Sequence, residues 1–386
     1  MELTGPLTQY ATRFHARIGA EHHVASPLGA WLVLALCAAA DTDAPKDGLA
    51  EALGMDPDAA VRTAAALLET PHPLVAAAAA IWQRLTDTKV DFSGLPPTVE
   101  TGPLPDQAAL DAWAREHTFG LIEKFPLQLD PDTVLILASA LATRVSWDEP
   151  FDLVPAARLG AGPWAGRLTQ VLHTPRRGGH DQHIVHTQRS GDVAVHTARA
   201  RDGLLVTSVI AAPDAPAEQV ITTAYEIVAN GGAGRRSLFD LPLGTGPLWT
   251  IVEEPAQTSS PDGREESCTA VLPAWSARSE HDLSAPALGF PAAALVLAQA
   301  LRLTEFAFVA KQAAVAKYTR EGFEAAAVTA MMMMAAGVPM FRPGVRRTAE
   351  LRFGHPYAVV ATANQPGSPW HHVPVFSAWI TDPDDA

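Results

Sequence analysis

Apolar residues spaced three and four apart dominate the first third of the chain. This spacing predicts helices at residues 7–18, 28–40 and 61–68. Residues 75–85 are ambiguous, because their alanines favour a helix whereas the Thr-Asp turn and the short apolar segment that follow favour a strand. The N-terminal third is therefore mainly helical, with one segment left open between helix and strand.

From Gln107 onward the pattern is simpler. It places Leu110 and Trp113 on one helix face that ends near Gly120, and the apolar run 134–142 that follows predicts a buried strand. The chain then changes character, because short apolar runs alternate with polar turns over residues 173–228, which predicts antiparallel strands.

The rest of the chain reads as further strands separated by loops. Exposed loops are predicted at 231–234 and 259–266, and residues 283–294 are mixed. Strands are predicted at 269–275, 306–318, 355–363 and 373–381. No internal repeat or long linker divides the sequence, so we expect one mixed domain over residues 1–386.

Composition narrows the classes of function. The chain has 386 residues, of which 48% are hydrophobic, and can bury a large core. Its net charge of -14 argues against nucleic-acid binding, which needs clustered cations to displace counterions. Cys37 and Cys268 are the two cysteines and indicate buried thiols rather than a disulfide framework. We expect no nucleic-acid partner.

The start of the chain lacks the basic lead and apolar stretch of an export signal, so we expect a cytoplasmic protein. The apolar run 31–40 is shorter than the roughly 20 residues that cross a bilayer, and a buried helix is its simpler explanation. No membrane span is expected.

Residues 318–342 are the most unusual stretch of the chain. Small residues dominate from Ala325 to Ala330, and four methionines, Met331, Met332, Met333 and Met334, come next. By local propensity alone this segment is a helix, because alanine and methionine are good helix formers and Gly337 would end it.

The same segment resembles the hinge of the serpins, the serine-protease-inhibitor family, in which a glycine and a run of small residues precede an exposed loop. The matching residues are Gly322, Glu324, Ala325, Ala326, Ala327, Val328 and Thr329. Five further segments resemble serpin motifs in the family's order. They carry Ser26 and Pro27; Trp113, Thr118, Gly120 and Ile122; Trp147, Pro150 and Phe151; Leu272, Pro273, Asp282, Leu283, Leu288 and Gly289; and His355, Pro356, Tyr357, Phe376 and Pro383.

The resemblance is to a bacterial-type intracellular member, and it implies an α+β serpin fold with helices around three sheets and a reactive-centre loop at about 321–345. It implies a monomeric suicide inhibitor of serine or cysteine endopeptidases, without enzyme activity or cofactor, in which the cleaved loop enters the central sheet. The implied hinge runs from Arg320 and Glu321 through Thr329, and Trp147 lies in the breach region where the loop enters. Counting along the hinge puts the reactive bond near Ala336 and Gly337, which suits elastase-like or subtilisin-like proteases that accept a small or apolar residue, and the methionines would contact the protease.

Three positions depart from the inhibitory pattern. Phe323 stands where a small hydroxyl residue is usual, Arg320 where an acidic residue is usual, and Ser139 where asparagine is usual. If Phe323 points inward on a strand, Ala325, Ala327, Thr329 and Met331 do so too, while Glu324, Ala326, Val328 and Ala330 face outward. The departures keep a second hypothesis open, a non-inhibitory serpin-fold binding or scaffold protein.

Other chemistries have little support. His180, His183 and His186 invite a zinc site, but the sequence has no paired cysteines, no His-Glu-x-x-His and no carboxylate at matched spacing. Copper(I) on the methionines is disfavoured, because four consecutive residues cannot all point one way. No metal is therefore expected, and no nucleophile elbow, phosphate loop or dinucleotide fingerprint indicates an enzyme.

Overall fold

The computed structural model describes residues 3–84, 90–92, 95–175, 178–201, 203–231, 233–323 and 342–386. In these residues the chain forms seven α-helices and nineteen strands. The helices are α1 Thr4–Ile18, α2 Pro27–Ala38, α3 Asp47–Leu53, α4 Pro57–Glu69, α5 Gln107–His117, α6 Ala217–Ala229 and α7 Phe290–Ala300. Three short 3-10 helices lie at Ala156–Leu159, Leu238–Asp240 and Pro286–Leu288.

Two six-stranded sheets form the body of the molecule. The core sheet has the order β1-β19-β18-β10-β9-β8, with β1 His23–Ala25, β8 His180–Thr187, β9 Gly191–Ala200, β10 Leu204–Ile210, β18 Tyr357–Ala363 and β19 Val373–Ile380. The side sheet has the order β11-β12-β17-β13-β7-β6, with β6 Asp152–Pro155, β7 Gln170–His173, β11 Gly244–Thr245, β12 Trp249–Thr258, β13 Arg264–Leu272 and β17 Arg342–Arg352.

Two smaller sheets lie side by side where a single central sheet was expected. One is β3-β2-β4, with β2 Val75–Gln83, β3 Val99–Pro103 and β4 Leu135–Thr143. The other is β14-β15-β16-β5, with β5 Val145–Ser146, β14 Trp275–Asp282, β15 Lys311–Tyr318 and β16 Gly322–Phe323. Because β4 continues through Arg144 into β5, the chain itself links the two sheets at one end.

The helix α2 shows how local sequence sets this architecture. Ser26 caps its start by accepting a hydrogen bond from the Gly29 N–H at 3.2 Å, and Pro27 fits the first turn, where no donor is needed. The helix is apolar on nearly all sides and almost fully buried, so it lies inside the core, beneath β4 on one side and β19 on the other.

The predicted helices in the N-terminal third and the helix from Gln107 are confirmed, and the ambiguous residues 75–85 form the strand β2. The prediction of strands throughout 173–228 is wrong at its end, because Ala217–Ala229 is the helix α6. Its β-branched residues favour a strand locally, but Val220, Ala224 and Ile227 fall on one helical face that packs against the core sheet.

Three further segment predictions need correction. The expected loop at 259–266 ends earlier, because β13 begins at Arg264. The strand expected at 269–275 is divided between β13 and β14, since Pro273 cannot donate to a ladder. The strand expected at 306–318 begins only at Lys311. In the described residues no helix is long and apolar enough to span a membrane.

Candidate functional site

A cleft of about 980 Å³ separates β4 from β15. The two strands belong to different sheets, and in the described part of the chain no ladder joins them. The floor of the cleft is the start of α2, with Gly29, Ala30 and Val33, and α7 contributes further apolar side chains. In the described residues the cleft is therefore bounded by two strands whose backbone N–H and C=O groups are not paired with each other, and its floor is apolar.

One end of the cleft is closed by the two-residue strand β16. Gly322 pairs with Ser146, and Phe323 pairs with both Val145 and Tyr318, so β16 bridges β5 and β15. Adjacent strands in a sheet are about 4.8 Å apart, so the gap between β5 and β15 is one strand wide at this point. The cleft continues below Phe323 along the same line.

Phe323 is a component of the core. Its side chain is 3% exposed, and its ring meets Trp275 edge-on at a centroid distance of 6.1 Å. Trp275 stacks on Tyr318, which in turn lies 4.9 Å from Trp147, so four aromatic rings fill the space under the top of the cleft. The Phe323 side chain is therefore already accommodated in a buried aromatic pocket.

The residues just before β16, 319–321, form what we call the loop base and are held by the segment 147–151. The Trp147 N–H donates to the Glu321 carbonyl, and the Phe151 N–H donates to the Arg320 carbonyl, both at 3.0 Å. The Trp147 indole N–H donates to the Thr319 carbonyl at 3.0 Å. Arg320 returns a bond from its Nε to the Phe151 carbonyl at 3.0 Å, so the cation at this position has a backbone partner.

A polar patch lies on the cleft floor at the start of α2. The Ser139 hydroxyl donates to the Gly29 carbonyl at 2.7 Å. The Gln312 side chain accepts from the Ser26 N–H at 2.9 Å and donates to the Ser26 carbonyl at 2.8 Å. These side chains come from β4 and β15, and both line the cleft.

The structure brings together part of the predicted site. Arg320, Glu321, Gly322, Phe323 and Trp147 are described and lie within one cluster of contacts. The remaining predicted residues lie outside the described residues: Glu324, Ala325, Ala326, Ala327, Val328, Thr329, Met331, Met332, Met333, Met334, Ala336 and Gly337. At the two ends of the loop expected at 321–345, Gly322–Phe323 and the start of β17 are strands.

The three histidines that suggested zinc have separate partners. His180 and His186 fall on one face of β8 and His183 on the other, because side chains alternate along a strand. His183 lies 3.3 Å from Asp181, and His186 lies 2.7 Å from Asp192. Within the described ranges no group of three or more His, Cys, Asp or Glu side chains is placed to hold a metal ion.

Neither cysteine is a reactive group in this structure. Burial raises the pKa of the Cys37 thiol to about 12. Burial and the nearby Glu266 carboxylate raise the pKa of Cys268 to about 12 as well. Both thiols therefore remain protonated near neutral pH, and a thiolate nucleophile is not available from either.

Solved structures resemble this arrangement over the whole chain. Human thyroxine-binding globulin, complexed with thyroxine, is 13% identical and matches 100% of this chain and 99% of its own with a TM-score of 0.64. The cleaved form of Serpin 42Da is 12% identical, with coverage of 100% and 98% and a TM-score of 0.66. The chain has the serpin fold.

Native tengpin, a thermophilic serpin, gives a similar result, with 13% identity, coverage of 98% and 93%, and a TM-score of 0.63. No protein-family model and no curated protein matches the sequence. The serpin fold predicted from the short motifs is therefore confirmed by structure, at a level of sequence identity where the fold alone can be inferred.

Gln312 and Tyr318 are site residues that the sequence analysis missed. Both fall on the inward face of β15, where Ala314 and Ala316 are also buried. The signal was present, since the alternation in this segment places a lone polar residue, Gln312, at an inward position. A polar side chain that faces the core needs a hydrogen-bond partner, and in the structure the backbone of Ser26 provides it.

Proposed function

We propose that this protein inhibits serine-type endopeptidases by inserting its cleaved loop as a new strand between β4 and β15. The observation that carries the proposal is β16, because Gly322 and Phe323 already occupy the first positions of that missing strand. The rest of the cleft is open and is bounded by two strands whose backbone groups face it. A strand that has begun to form there can grow without a new nucleation step.

The register of β16 assigns a partner to every residue that would follow. Phe323 pairs with Tyr318 on one side and Val145 on the other, and both ladders are antiparallel. Continued insertion would therefore put Glu324 between Lys317 and Arg144, and Thr329 between Gln312 and Ser139. Both walls end a few residues further on, at Lys311 and Leu135. Residues 324–330 would pair on both edges, and residues 331–333 would pair with β4 alone.

The chemistry of the incoming residues fits these positions. Glu324 would lie on the outer face between two exposed cations. Thr329 would lie on the inner face beside the polar patch of Ser139 and Gln312, which supplies partners for its hydroxyl group. An unpaired buried hydroxyl would cost about 1 to 3 kcal/mol.

Size fits as well as polarity. The inward positions above the start of α2 would be Ala325, Ala327 and Thr329, and Met331 and Met333 would face inward further along the cleft. The floor beneath them is tight, because a Cβ atom added to Gly29 would lie 3.2 Å from the Leu141 side chain and 3.5 Å from the Ser139 hydroxyl. Small inward side chains are the ones that such a floor accepts.

The driving force comes from the backbone. Residues of a central strand pair on both edges, so about ten inserted residues would form on the order of 20 hydrogen bonds. At about 0.5 kcal/mol net each, insertion would release on the order of 10 kcal/mol. The uncut state then persists because of a barrier and not because it is the lowest in free energy.

Counting from the hinge puts the cleaved bond near Ala336 and Gly337, with a small residue before it. Proteases of the elastase or subtilisin type accept such residues in their primary pockets. The direct test is to mix the protein with both types and look for a covalent complex that survives denaturing electrophoresis. Cleavage without a complex would refute inhibition by trapping.

A pair of variants tests the insertion itself. Ala327→Arg puts a charged side chain under the inserted strand, where burial of an unpaired ion costs several kcal/mol, whereas Ala326→Arg puts the same side chain on the outer face. We expect Ala327→Arg to form at least about tenfold less complex and more cleaved product, and Ala326→Arg to behave like the parent. Equal loss in both variants, or in neither, would show that the loop does not enter with this register.

The second candidate is a non-inhibitory binding protein with the same fold. The structural likeness to thyroxine-binding globulin, a thyroxine-binding protein by its name, supports this second candidate. The two functions separate in one measurement, the melting temperature before and after loop cleavage. Insertion of the cleaved loop should raise the melting temperature greatly, whereas a non-inhibitory binding protein whose loop stays outside the sheet should keep the melting temperature of the uncut form.

A further inference from the structure

A pair of histidines lies directly beneath the segment that holds the loop base. His196 on β9 is fully buried and His180 on β8 is half-buried, and their rings stack with a centroid distance of 5.3 Å. The His180 ring also lies 4.4 Å from the Phe151 ring, and the His196 ring lies 5.5 Å from it. Phe151 is the residue whose N–H and carbonyl both bond to Arg320.

The hydrogen bonds of the pair fix where its protons are. His180 Nε2 lies 2.8 Å from the Glu149 carbonyl oxygen, so this nitrogen must carry a proton and donate. Burial favours the neutral form of both rings, because it lowers the pKa of each. In that form His180 Nδ1 is an acceptor, and His196 Nε2, 3.1 Å away, donates to it. His196 Nδ1 is buried and has no hydrogen-bond partner in the described residues. The neutral rings thus form a single chain of donors that ends at Glu149.

Protonation of both rings would break this arrangement. With one proton on His180 Nδ1, His196 can carry its own proton on Nδ1 and accept through Nε2, but the cation is then held in a buried pocket. A proton on His196 Nδ1 in addition to the one on Nε2 would make His196 a buried cation whose Nδ1–H has no acceptor among the described residues. With both rings protonated, the two facing nitrogens each carry a proton and the bond between the rings is lost. Relief in each case requires the segment 147–151 to move away from β8 and β9, since it forms the third side of the pocket.

Other charged groups surround the pair. Asp148 and Glu149 lie in the covering segment, and Arg320 and Glu321 lie in the loop base. Asp181 and His183 lie on the opposite face of β8, together with Arg235 after α6. Asp181 is engaged by His183 and by Arg235, whose Nη1 lies 3.2 Å from it. The His183 ring, 3.3 Å away, and the Arg235 guanidinium hold the pKa of Asp181 well below its usual range. Asp181 therefore stays ionised over the range in which the histidines titrate.

We propose that His180 and His196 form a pH-sensitive latch, which holds the segment 147–151 on the loop base while both rings are neutral and releases it when they are protonated. Release frees the carbonyls of Thr319, Arg320 and Glu321 from their donors. The loop base would then move more easily into the cleft. The effect on inhibition rests on the proposed function, but the opening itself does not.

The sign of the pH effect follows from burial. Burial lowers the pKa of His180 from its ordinary value of 6.5, and it lowers that of His196 well below 6.5, with the neighbouring His180 adding to the shift. When the segment 147–151 is released, the two histidines bind protons more readily than when it is held on the loop base. Release therefore becomes more favourable as the pH falls below about 6.5. Each histidine contributes about a tenfold change for each pH unit.

Amide hydrogen exchange tests the latch without a protease. The probes are the N–H groups of Trp147 and Phe151, whose carbonyl partners lie in the loop base. In the parent protein we expect their protection factors, corrected for intrinsic exchange at each pH, to fall at least about tenfold between pH 7.5 and 5.5. The amides of Val359 and Val360 on β18 report global unfolding and should change much less. A flat profile at Trp147 and Phe151 would overturn the proposal.

Variants identify the histidines responsible. The double variant His180→Gln and His196→Gln keeps polar groups of similar shape but cannot be protonated, so the pH dependence should shrink to within about twofold. His186→Gln is the matched control, because His186 lies on the same strand with 59% of its side chain exposed and bonds to Asp192. If His183→Gln alone abolished the pH dependence, the latch would be wrongly assigned.

The inhibition assay separates this inference from the proposed function. The ratio of association rates at pH 5.5 and 7.5 should be higher for the parent than for the double variant, and comparison of two inhibitors cancels the pH dependence of the protease. Opening without any inhibition would leave the latch intact and refute the proposed function. Inhibition together with pH-independent protection of the Trp147 and Phe151 amides would support the proposed function and refute the latch.

Discussion

Phe323 offers a prediction that follows from its position in the sheet. The residue is already buried, and in the proposed inserted state it keeps the same neighbours, Val145 and Tyr318. Phe323→Ala should therefore destabilise the uncut and the cleaved forms by the same amount. Removal of a buried aromatic side chain costs about 3 to 5 kcal/mol.

This cost converts into a change of melting temperature. The unfolding entropy is about 2.1 cal/mol/K per residue, which gives about 0.8 kcal/mol/K for 386 residues. A loss of 3 to 5 kcal/mol should then lower the melting temperature by about 4 to 6 °C. The rise in melting temperature on loop cleavage should be the same in variant and parent.

Scanning calorimetry of both proteins, before and after cleavage with a subtilisin-like protease, measures these four temperatures. Leu295→Ala is the control, since Leu295 is 62% exposed and should shift the melting temperature by less than about 1 °C. A decrease confined to the cleaved form would mean that Phe323 lies outside the sheet before cleavage. A decrease confined to the uncut form would mean that it leaves the sheet on insertion. Either result would refute the register used above.

Two further predictions concern stability. Gln312→Leu leaves the Ser26 N–H and carbonyl without their partners, so the free energy of unfolding measured in urea should fall by about 2 to 4 kcal/mol, whereas the outward Ala313→Leu should change it by less than about 0.5 kcal/mol. Burial lowers the pKa of His15 well below 6.5 and that of His23 to about 4, so the unfolded chain binds more protons below pH 6.5 and stability is lost as the pH falls. Between pH 7.5 and 5 each should reduce the free energy of unfolding by about 2 kcal/mol, and a profile that is flat or rises toward pH 5 would contradict this reasoning.

The sequence was sufficient for the elements whose signal is local. Periodicity identified α1, α2 and α5, and the Ser-Pro pair at Ser26 and Pro27 marks the capped start of α2. The apolar runs that became β4, β18 and β19 were also found. The helix α6 was missed because its β-branched residues carry a strand propensity that tertiary packing overrides.

The site was harder to predict, because its main features depend on contacts between distant segments. Phe323 stands where a small hydroxyl residue is usual, and its larger aromatic ring needs more space than that residue would. The pocket that accepts the ring is built by Trp275, Tyr318 and Trp147, which lie on three different strands or their ends. Likewise, Arg320 departs from the usual acidic residue, yet its Nε bonds to the Phe151 carbonyl. Neither contact has a signature in the local sequence.

The two ends of the loop are anchored very differently, and this asymmetry gives the proposed insertion a direction. On the N-terminal side the anchor is β16, a strand of two residues. On the C-terminal side β17 runs for eleven residues between β12 and β13, with a full ladder on each edge. The turn between β12 and β13 also crosses close over its start, since a Cβ atom added to Gly344 would lie 2.2 Å from the Gly263 carbonyl oxygen.

Strand separation at β17 would break two ladders at once, whereas extension of β16 breaks none. In the proposed mechanism the N-terminal side is therefore the one that would move, and it would travel the length of the cleft only after the chain between Phe323 and Arg342 had been cut. With both ends attached, every residue that entered the cleft would require another residue to span the same distance back along the outside. An uncut loop of 18 residues between Phe323 and Arg342 could therefore place at most about half of its residues in the cleft. The fold itself would thus make the proposed full insertion depend on cleavage of the loop.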